Sequence, residues 1–401
     1  MSDFFDFPIT YLDSNDGSSM LAFGLQEFIL VKENNALECL DDFIKIHSTK
    51  YIFGALNYNL KNEIEDLQTS NHNDAEFPQL LFYVPTCVVK LAGEKIEFLQ
   101  GEKDDKNLNF IHNFLTKKKR ANPTNLKIGW RKRTNKEKYI KNIYRIKDFI
   151  RQGEVYEMNY CQEFYAENSE IQDPLEFFFK LNEVTKSPFS VYFQFDEYFL
   201  LCGSPERFLK MKGRKLLSQP IKGTRRRDKD KFLDGQLKKE LKDNLKERAE
   251  NIMIVDLVRN DLSKVATKNS VSVDELCEIY SFETVHQMIS TISCRVKNSI
   301  SFTGIIKATF PMGSMTGAPK LRTMELIDYL EDFSRGIYSG SIGYLAPNGD
   351  FDFNVVIRSI VYNSKKKYIS CPVGSAITLD SDPEKEYEEC QTKISRILNV
   401  Q

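Results

Sequence analysis

Lys222 lies in the run Pro220-Ile221-Lys222-Gly223-Thr224, which sets a primary amine between a proline and a Gly-Thr pair. Proline fixes φ and glycine frees it, so the backbone is expected to turn sharply and hold the amine at a strand-to-loop junction. Such an amine becomes a nucleophile if burial and nearby cations lower its pKa; otherwise it is a solvated loop lysine. Glu206, in Gly203-Ser204-Pro205-Glu206-Arg207, follows the apolar run at 198–201. A carboxyl at a buried strand end acquires a raised pKa and can protonate a leaving group, whereas pairing with Arg207 would make it a structural ion.

Glu250, in Glu247-Arg248-Ala249-Glu250-Asn251, falls on a predicted helix beside an apolar run at 252–255. Glu386 and Glu389 share one face of the last predicted helix. These are surface ion pairs, or, if the two helices line one cleft, hard oxygen ligands for Mg²⁺, which keeps waters and substrate oxygens as its other ligands. The loop from Phe310 to Lys320 is Gly-rich and opens a helix, where backbone amides suit a carboxylate or a phosphate. It is not a Walker A loop, because the G-x-x-x-x-G-K-[ST] spacing is absent. Tyr338 and Arg358 are placed on the two strands of a late hairpin, from which Arg358 could grip a carboxylate in a bidentate fork.

Elements that would carry these groups follow from periodicity. Strand-like runs at 25–32 and 80–91 are separated by polar stretches, with 61–77 loop-like. The basic run 117–120 and then 121–125 read as a connector. Tyr139, Ile143, Ile146 and Ile150 mark a helix from Asn135 to Gln152, ended by Gly153. Strands are predicted at 156–164, 190–201 and 208–217, and one long helix over 231–258 with Leu241, Leu245, Ile252 and Val255 as its apolar side. A helix at 319–330, a strand pair at 338–345 and 351–362 joined through Pro347-Asn348-Gly349-Asp350, and a helix from Pro383 complete an α+β pattern.

With 56 basic and 57 acidic side chains the total charge points to neither nucleic acid nor a membrane surface. No apolar run approaches the ~18 residues of a membrane span, and the acidic start, Met1 to Asp6, is unlike a secretory signal. The 8 cysteines contain no C-x-x-C pair and there are only 4 histidines, so reduced thiols in a cytoplasmic protein are expected, without a zinc site.

Taken together, the motifs G-E-V-Y-E-M-N-Y (153–160), S-P-E-R-F (204–208), A-E-N-I-M-I-V-D-L-V-R-N-D-L (249–262), T-G-A-P-K (316–320), Y-S-G-S-I-G (338–343) and S-D-P-E-K-E-Y-E-E (381–389) resemble those of the chorismate-utilising enzymes. That family comprises the anthranilate, aminodeoxychorismate, isochorismate and salicylate synthases. The resemblance is dense from Gly153 to Lys393 and weaker over the first 120 residues, where 52–58 looks like the family's F-G-x-L-x-Y strand. It implies two facing, mainly antiparallel sheets flanked by helices. A region 1–125, interleaved with the rest, would precede a chorismate-binding catalytic region 126–401.

The resemblance also implies roles. Within the family P-I-K-G-T marks the aminodeoxychorismate synthases, Ala standing at Lys222 in anthranilate synthases. Lys222 as free amine would attack C2 of chorismate while Glu206 protonates the departing C4 hydroxyl; ammonia would then attack C4 and expel the lysine. Mg²⁺, held by Glu250 and Glu389 with Glu386 acting through water, would grip the ring carboxylate, helped by amides of Gly374, Ser375 and Ala376 and by Lys393. Tyr338 and Arg358 match the pair that binds the enolpyruvyl carboxylate, and Ser314 a substrate-contacting hydroxyl.

Three positions depart from the pattern. Glu157 stands where the amine-using enzymes usually have Gln and isochorismate-type enzymes a water-activating lysine, which argues against isochorismate formation. Gln287 takes the place of a histidine, with His286 one position earlier, and cannot carry positive charge. Gly374-Ser375-Ala376 replaces a glycine triplet. The expected activity is amination of chorismate to 4-amino-4-deoxychorismate, toward 4-aminobenzoate and folate, with ammonia from a separate glutamine amidotransferase subunit, since no glutaminase motif is found. The alternatives are an anthranilate-forming enzyme and a catalytically weak chorismate-binding subunit. Tyr11-Leu12-Asp13-Ser14 matches the tryptophan-sensing L-L-E-S segment only in part.

Overall fold

Residues 7–119 and 128–400 are described by the structure, a computed structural model. The acidic start at 1–6, the connector at 121–125 and the boundary at 125 lie outside them.

Among the described residues, two antiparallel sheets of 11 and 10 strands face one another. The first carries Ile9–Asp13, Phe189–Phe195, Tyr198–Ser204, Tyr368–Ile377 and, towards one end, Glu157–Ala166. The second carries Ile52–Leu56, Ser341–Leu345, Arg207–Lys212 and Val285–Arg295, with Ile221–Arg226 at its end. Val191, Phe193 and Leu200 of the first sheet meet Phe53, Leu81 and Ile342 of the second in one buried cluster. The Thr10 and Tyr83 hydroxyls, one from each sheet, are hydrogen-bonded at 2.8 Å. Alternation along each strand sends the remaining apolar side chains outward, where helices cover them. Tyr139, Ile143 and Ile146 of the helix Lys136–Arg151 and Ile394 of Pro383–Leu398 pack on the first sheet. Ile254 and Val258 of Leu245–Val265 pack on the second. This is the fold class the resemblance implies.

Several predicted runs divide in two. The run at 80–91 becomes Leu80–Val84 in one sheet and Cys87–Ala92 in the other, because Pro85 offers no N–H to continue a ladder. The runs at 190–201 and 208–217 are each hairpins, turning at Asp196 and at Gly213, both in the left-handed region. The strand pair after Tyr338 is shorter than predicted: Ser341–Leu345 pairs with Phe351–Asn354, while Ser359–Asn363 crosses to the first sheet. Tyr338 and Arg358 therefore sit in the connections flanking that hairpin, not on its strands. The segment at 61–77 opens with a short helix, Lys61–Glu65, and the basic run at 117–119 ends the helix Asp105–Lys119.

The long helix breaks as well. Asn244 leaves helical geometry (ψ 109°) and its side chain accepts from the Glu247 N–H, so Lys231–Asp243 ends and Leu245–Val265 begins with a capped N-terminus. The change of axis resets the helical phase. Leu241 and Val255 are buried as expected, but Leu245 is 82% exposed and Ile252 39% exposed, and Glu250 and Asn251 turn inward instead.

Candidate active site

At the ends of the two sheets lies a pocket of about 480 Å³, a size that suits a small organic ligand. Lys222 enters it from the strand Ile221–Arg226. Its register against Val285–Arg295 shifts between Lys222, opposite Met288, and Thr224, opposite Gln287. Gly223 takes up the bulge at φ 79°, and a Cβ there would come within 2.9 Å of Leu241 Cδ1. Lys222 is thus inside a strand, at a bulge, rather than at a strand-to-loop junction. Its ammonium donates to Glu157 Oε1 at 2.6 Å across the gap between the sheets. Burial pushes the Lys222 pKa down, but Glu157, Glu250 and Glu206 outweigh it and hold the pKa above the ordinary lysine value. The condition of a lowered pKa is therefore not met: the pull of the three carboxylates prevails over burial, and the amine is an ammonium ion in the ligand-free site.

Glu206 follows the strand Tyr198–Ser204 and is buried. Burial pushes its carboxyl up to about 7, against the opposing pull of the Ser314 hydrogen bond and of Lys222. The Ser314 hydroxyl donates to Glu206 Oε1 at 2.6 Å. Arg207, the alternative partner, turns away to Asp352 at 2.8 Å and to the Gln219 side-chain amide oxygen. The loop 310–320 thus contributes Ser314 and Met315 to the pocket wall. Lys320, at the start of the next helix, is committed to Asp261 at 2.5 Å, and the helix N-terminus does not line the pocket.

Arg358 and Tyr338 also line the pocket. Arg358 holds φ at 51°, a strained conformation for a residue with a Cβ, and its carbonyl accepts from the Gly203 N–H at 3.0 Å. Its guanidinium forms no ion pair within the described residues; burial and the neighbouring Arg396 lower its pKa. Burial raises the Tyr338 hydroxyl well above the ordinary range, so that group stays neutral.

The carboxylates converge from two helices. Glu250 comes from Leu245–Val265, Glu386 and Glu389 from Pro383–Leu398, whose start is set by Asp382 capping the Glu384 and Lys385 N–H groups and by Pro383 in the first turn. Glu250 is pushed up to about 7, chiefly by burial, with Lys222 opposing. Lys246, one turn before Glu250, places its ammonium 3.8 Å from Glu250 Oε1 and 3.4 Å from Glu386 Oε1. Glu386 also accepts from the Ser375 and Ser381 hydroxyls, the latter at 2.8 Å. Lys393 pairs with Glu389 at 2.6 Å and donates to the Gly374 carbonyl oxygen at 3.2 Å. Gly374 and Ala376 line the pocket, whereas Ser375 faces Glu386 behind it. A Cβ at Gly374 would meet Cys161 Sγ at 2.5 Å, so the wall tolerates no side chain at that point.

No group of three or more His, Cys, Asp or Glu side chains is drawn together tightly enough for a closed metal cage among the described residues. Glu250 and Glu386 nevertheless already share one positive charge, that of Lys246. Hard carboxylate oxygens around a common cation, open to the pocket, fit magnesium bound through few protein ligands.

Gln287 is 1% exposed and lines the pocket, and neither its amide N nor its amide O has a hydrogen-bond partner within the described residues. A buried amide left unsatisfied is costly, which points to a polar ligand as its partner. His286 cannot replace it. Alternation along the strand turns His286 to the other face, where Nε2 meets Asp234 at 3.0 Å and Nδ1 meets Ser281 at 2.9 Å.

Every expected site residue except Ser375 lines this one pocket. Lys246, whose charge lies between two carboxylates, joins the site unannounced by any sequence motif, and Glu157 meets Lys222 as well as departing from the family pattern. Periodicity around Lys246 gives no signal, because it reads as one more charge on a solvated helix.

The chorismate binding enzyme family matches residues 8–399. The chain belongs to that family. Among its curated members, aminodeoxychorismate synthase component 1 of Salmonella typhimurium is 38% identical over 277 residues, 69% of this chain and 60% of that protein. The protein of the same name from Bacillus subtilis is 31% identical over 95% of this chain and 85% of its own length. The chain thus spans less than two thirds of the Salmonella member it matches. The crystal structure of anthranilate synthase component I from Streptococcus pneumoniae superposes with a TM-score of 0.79 at 24% identity, covering 95% of this chain and 92% of that one. At that identity it speaks for the shared fold of the family. Among the described residues no helix is long and apolar enough to cross a membrane.

Proposed function

We propose that this chain is an aminodeoxychorismate synthase component I, which aminates chorismate at C4 to give 4-amino-4-deoxychorismate. The observation that carries the proposal is a lysine side chain, Lys222, in one pocket with a buried carboxyl poised near pH 7, Glu206. An amine and an adjacent proton donor are what a covalent displacement of a hydroxyl requires.

Lys222 as free amine attacks C2, both conjugated ring double bonds shift by one position, and the C4–O bond breaks as Glu206 gives its proton to the departing oxygen, releasing water. Ammonia attacks C4, both double bonds shift back, and the C2–N bond breaks to release Lys222. The proton shed by the new C4 ammonium restores Glu206. The unpaired Arg358 guanidinium, beside Tyr338, receives a substrate carboxylate, and the Gln287 amide supplies the hydrogen bonds it now lacks. Glu250 and Glu389, with Glu386 behind, would hold magnesium, which when bound would supply positive charge for the ring carboxylate. Lys393 and the backbone at Gly374 and Ala376 complete that wall, with Ser375 fixing Glu386.

The relatives' designation "component 1" supports a second subunit, taken to be a glutamine amidotransferase that delivers ammonia; free ammonium serves in its absence. The test is product analysis after incubating the chain with chorismate, ammonium and Mg²⁺. 4-Amino-4-deoxychorismate is expected, and anthranilate as the sole product would overturn the proposal.

A further inference from the structure

Lys222 cannot attack as it stands. Its nitrogen carries the positive charge that the surrounding carboxylates favour, and an ammonium ion has no lone pair. One proton must leave Nζ before the C2–N bond forms, and the acceptor must lie within hydrogen-bond reach. Glu157 is the sole hydrogen-bond acceptor of the Lys222 ammonium among the described residues, at 2.6 Å. Glu206 faces the same pocket, but its Oε1 is taken by Ser314, and the proposed chemistry needs it as a proton donor.

The setting of Glu157 suits a carrier rather than a structural partner. It is 1% exposed, yet its second oxygen, Oε2, has no hydrogen-bond partner within the described residues. A buried carboxylate held in place for stability alone normally has both oxygens satisfied. Here the charge is balanced by one lysine, whose ammonium donates directly to Oε1, so a proton has a direct path between the two groups. Glu157 also approaches from the opposite sheet, at the first residue of Glu157–Ala166, so it touches Nζ without belonging to the strand that carries Lys222.

We propose that Glu157 is a catalytic proton carrier for Lys222, taking the proton from the ammonium before attack and returning it when the lysine is expelled. Resting on the proposed function, the cycle balances. Lys222–NH₃⁺ and Glu157–COO⁻ become Lys222–NH₂ and Glu157–COOH. The neutral amine forms the C2–N bond and becomes a secondary ammonium as Glu206 protonates the leaving hydroxyl. When ammonia attacks C4, the C2–N electron pair returns to nitrogen. The released neutral amine then recovers its proton from Glu157–COOH, and both groups regain their starting charges. The departure from the residue types expected at position 157 thereby gains a function: a carboxylate does what an amide cannot.

The test is rapid-quench mass spectrometry of the Lys222 adduct, formed from chorismate and Mg²⁺ without ammonium, in the parent and in Glu157→Gln. The amide keeps the size and can still accept a hydrogen bond, but it cannot take a proton. Adduct formation is expected to slow by roughly 10²-fold or more with chorismate affinity little changed. An unchanged rate in Glu157→Gln would overturn the proton-carrier role while leaving the proposed function intact. Absence of any adduct in the parent would instead overturn the covalent route, and the proton carrier with it. If Glu157→Gln fails to fold, Glu157→Asp decides. It keeps the charge but withdraws the carboxylate by one methylene, so a slower adduct supports the role and an unaltered rate contradicts it.

Discussion

The Ser314 hydroxyl donates to a Glu206 carboxyl that burial has raised to about 7, so one hydrogen bond trims the acidity of the group placed to protonate the leaving oxygen. That bond favours the ionised form, and removing it lets the pKa climb further. Since the active form of Glu206 is the protonated one, kcat/KM for chorismate falls as pH rises through that pKa. Ser314→Ala is expected to move this alkaline limb to higher pH. Glu206→Gln is expected to abolish it and lower kcat by roughly 10²- to 10⁴-fold. The pH–rate profiles of the two variants check both; a limb that stays put in Ser314→Ala contradicts the coupling.

Arg358 is a guanidinium without an ion-pair partner among the described residues, held in a strained backbone conformation at φ 51°. A residue so placed contributes to binding at the expense of the free protein. Arg358→Lys is expected to raise KM for chorismate roughly 10- to 100-fold, because an ammonium cannot reproduce a bidentate grip. Arg358→Ala is expected to melt no lower than the parent in the absence of substrate. Steady-state kinetics and thermal melts read the two effects separately.

Lys222 and Glu157 also depend on each other for stability, being 9% and 1% exposed. Lys222→Met leaves a buried carboxylate without its cation and is expected to cost about 3 kcal/mol. Adding Glu157→Gln should recover most of that loss. Denaturant titrations of the single and double variants measure it, and simple additivity would contradict a coupled pair.

Glu250, pushed up to about 7 by burial, is partly protonated at neutral pH and must shed that proton to hold a cation. Magnesium affinity is therefore expected to rise between about pH 6 and about pH 8, with proton release on binding near the lower end. Calorimetry in two buffers of different ionisation enthalpy measures the released proton. Binding that is independent of pH would remove Glu250 as a ligand.

How much of this was legible in the sequence differs from residue to residue. The helix that buries Tyr139, Ile143 and Ile146 follows from their spacing, its end from Gly153 at φ 77°. The turn at 347–350 follows from Asn-Gly-Asp, and Ala346 and Asp350 close it with a 2.7 Å bond. The break at Asn244 does not follow, because no glycine or proline marks it and charged residues surround it. It has a consequence for function, since the reset phase turns Glu250 inward. Residue types at the site were legible as a set, but their pairings were not. Lys222 and Glu157 are 65 positions apart on different sheets, and only the fold puts an anion beside the amine. Whether the amine's pKa falls or rises could not be read for that reason: local sequence reports burial but not which charges share it.

Amination of chorismate through a bond to Lys222 can be read from the mass of the peptide carrying Lys222 after acid quench of the chain with chorismate and Mg²⁺. A covalent adduct, of chorismate less water, is expected on Lys222. That adduct should disappear as 4-amino-4-deoxychorismate forms on adding ammonium, and should be absent from Lys222→Met. An unmodified Lys222 under conditions in which 4-amino-4-deoxychorismate is being made would contradict it.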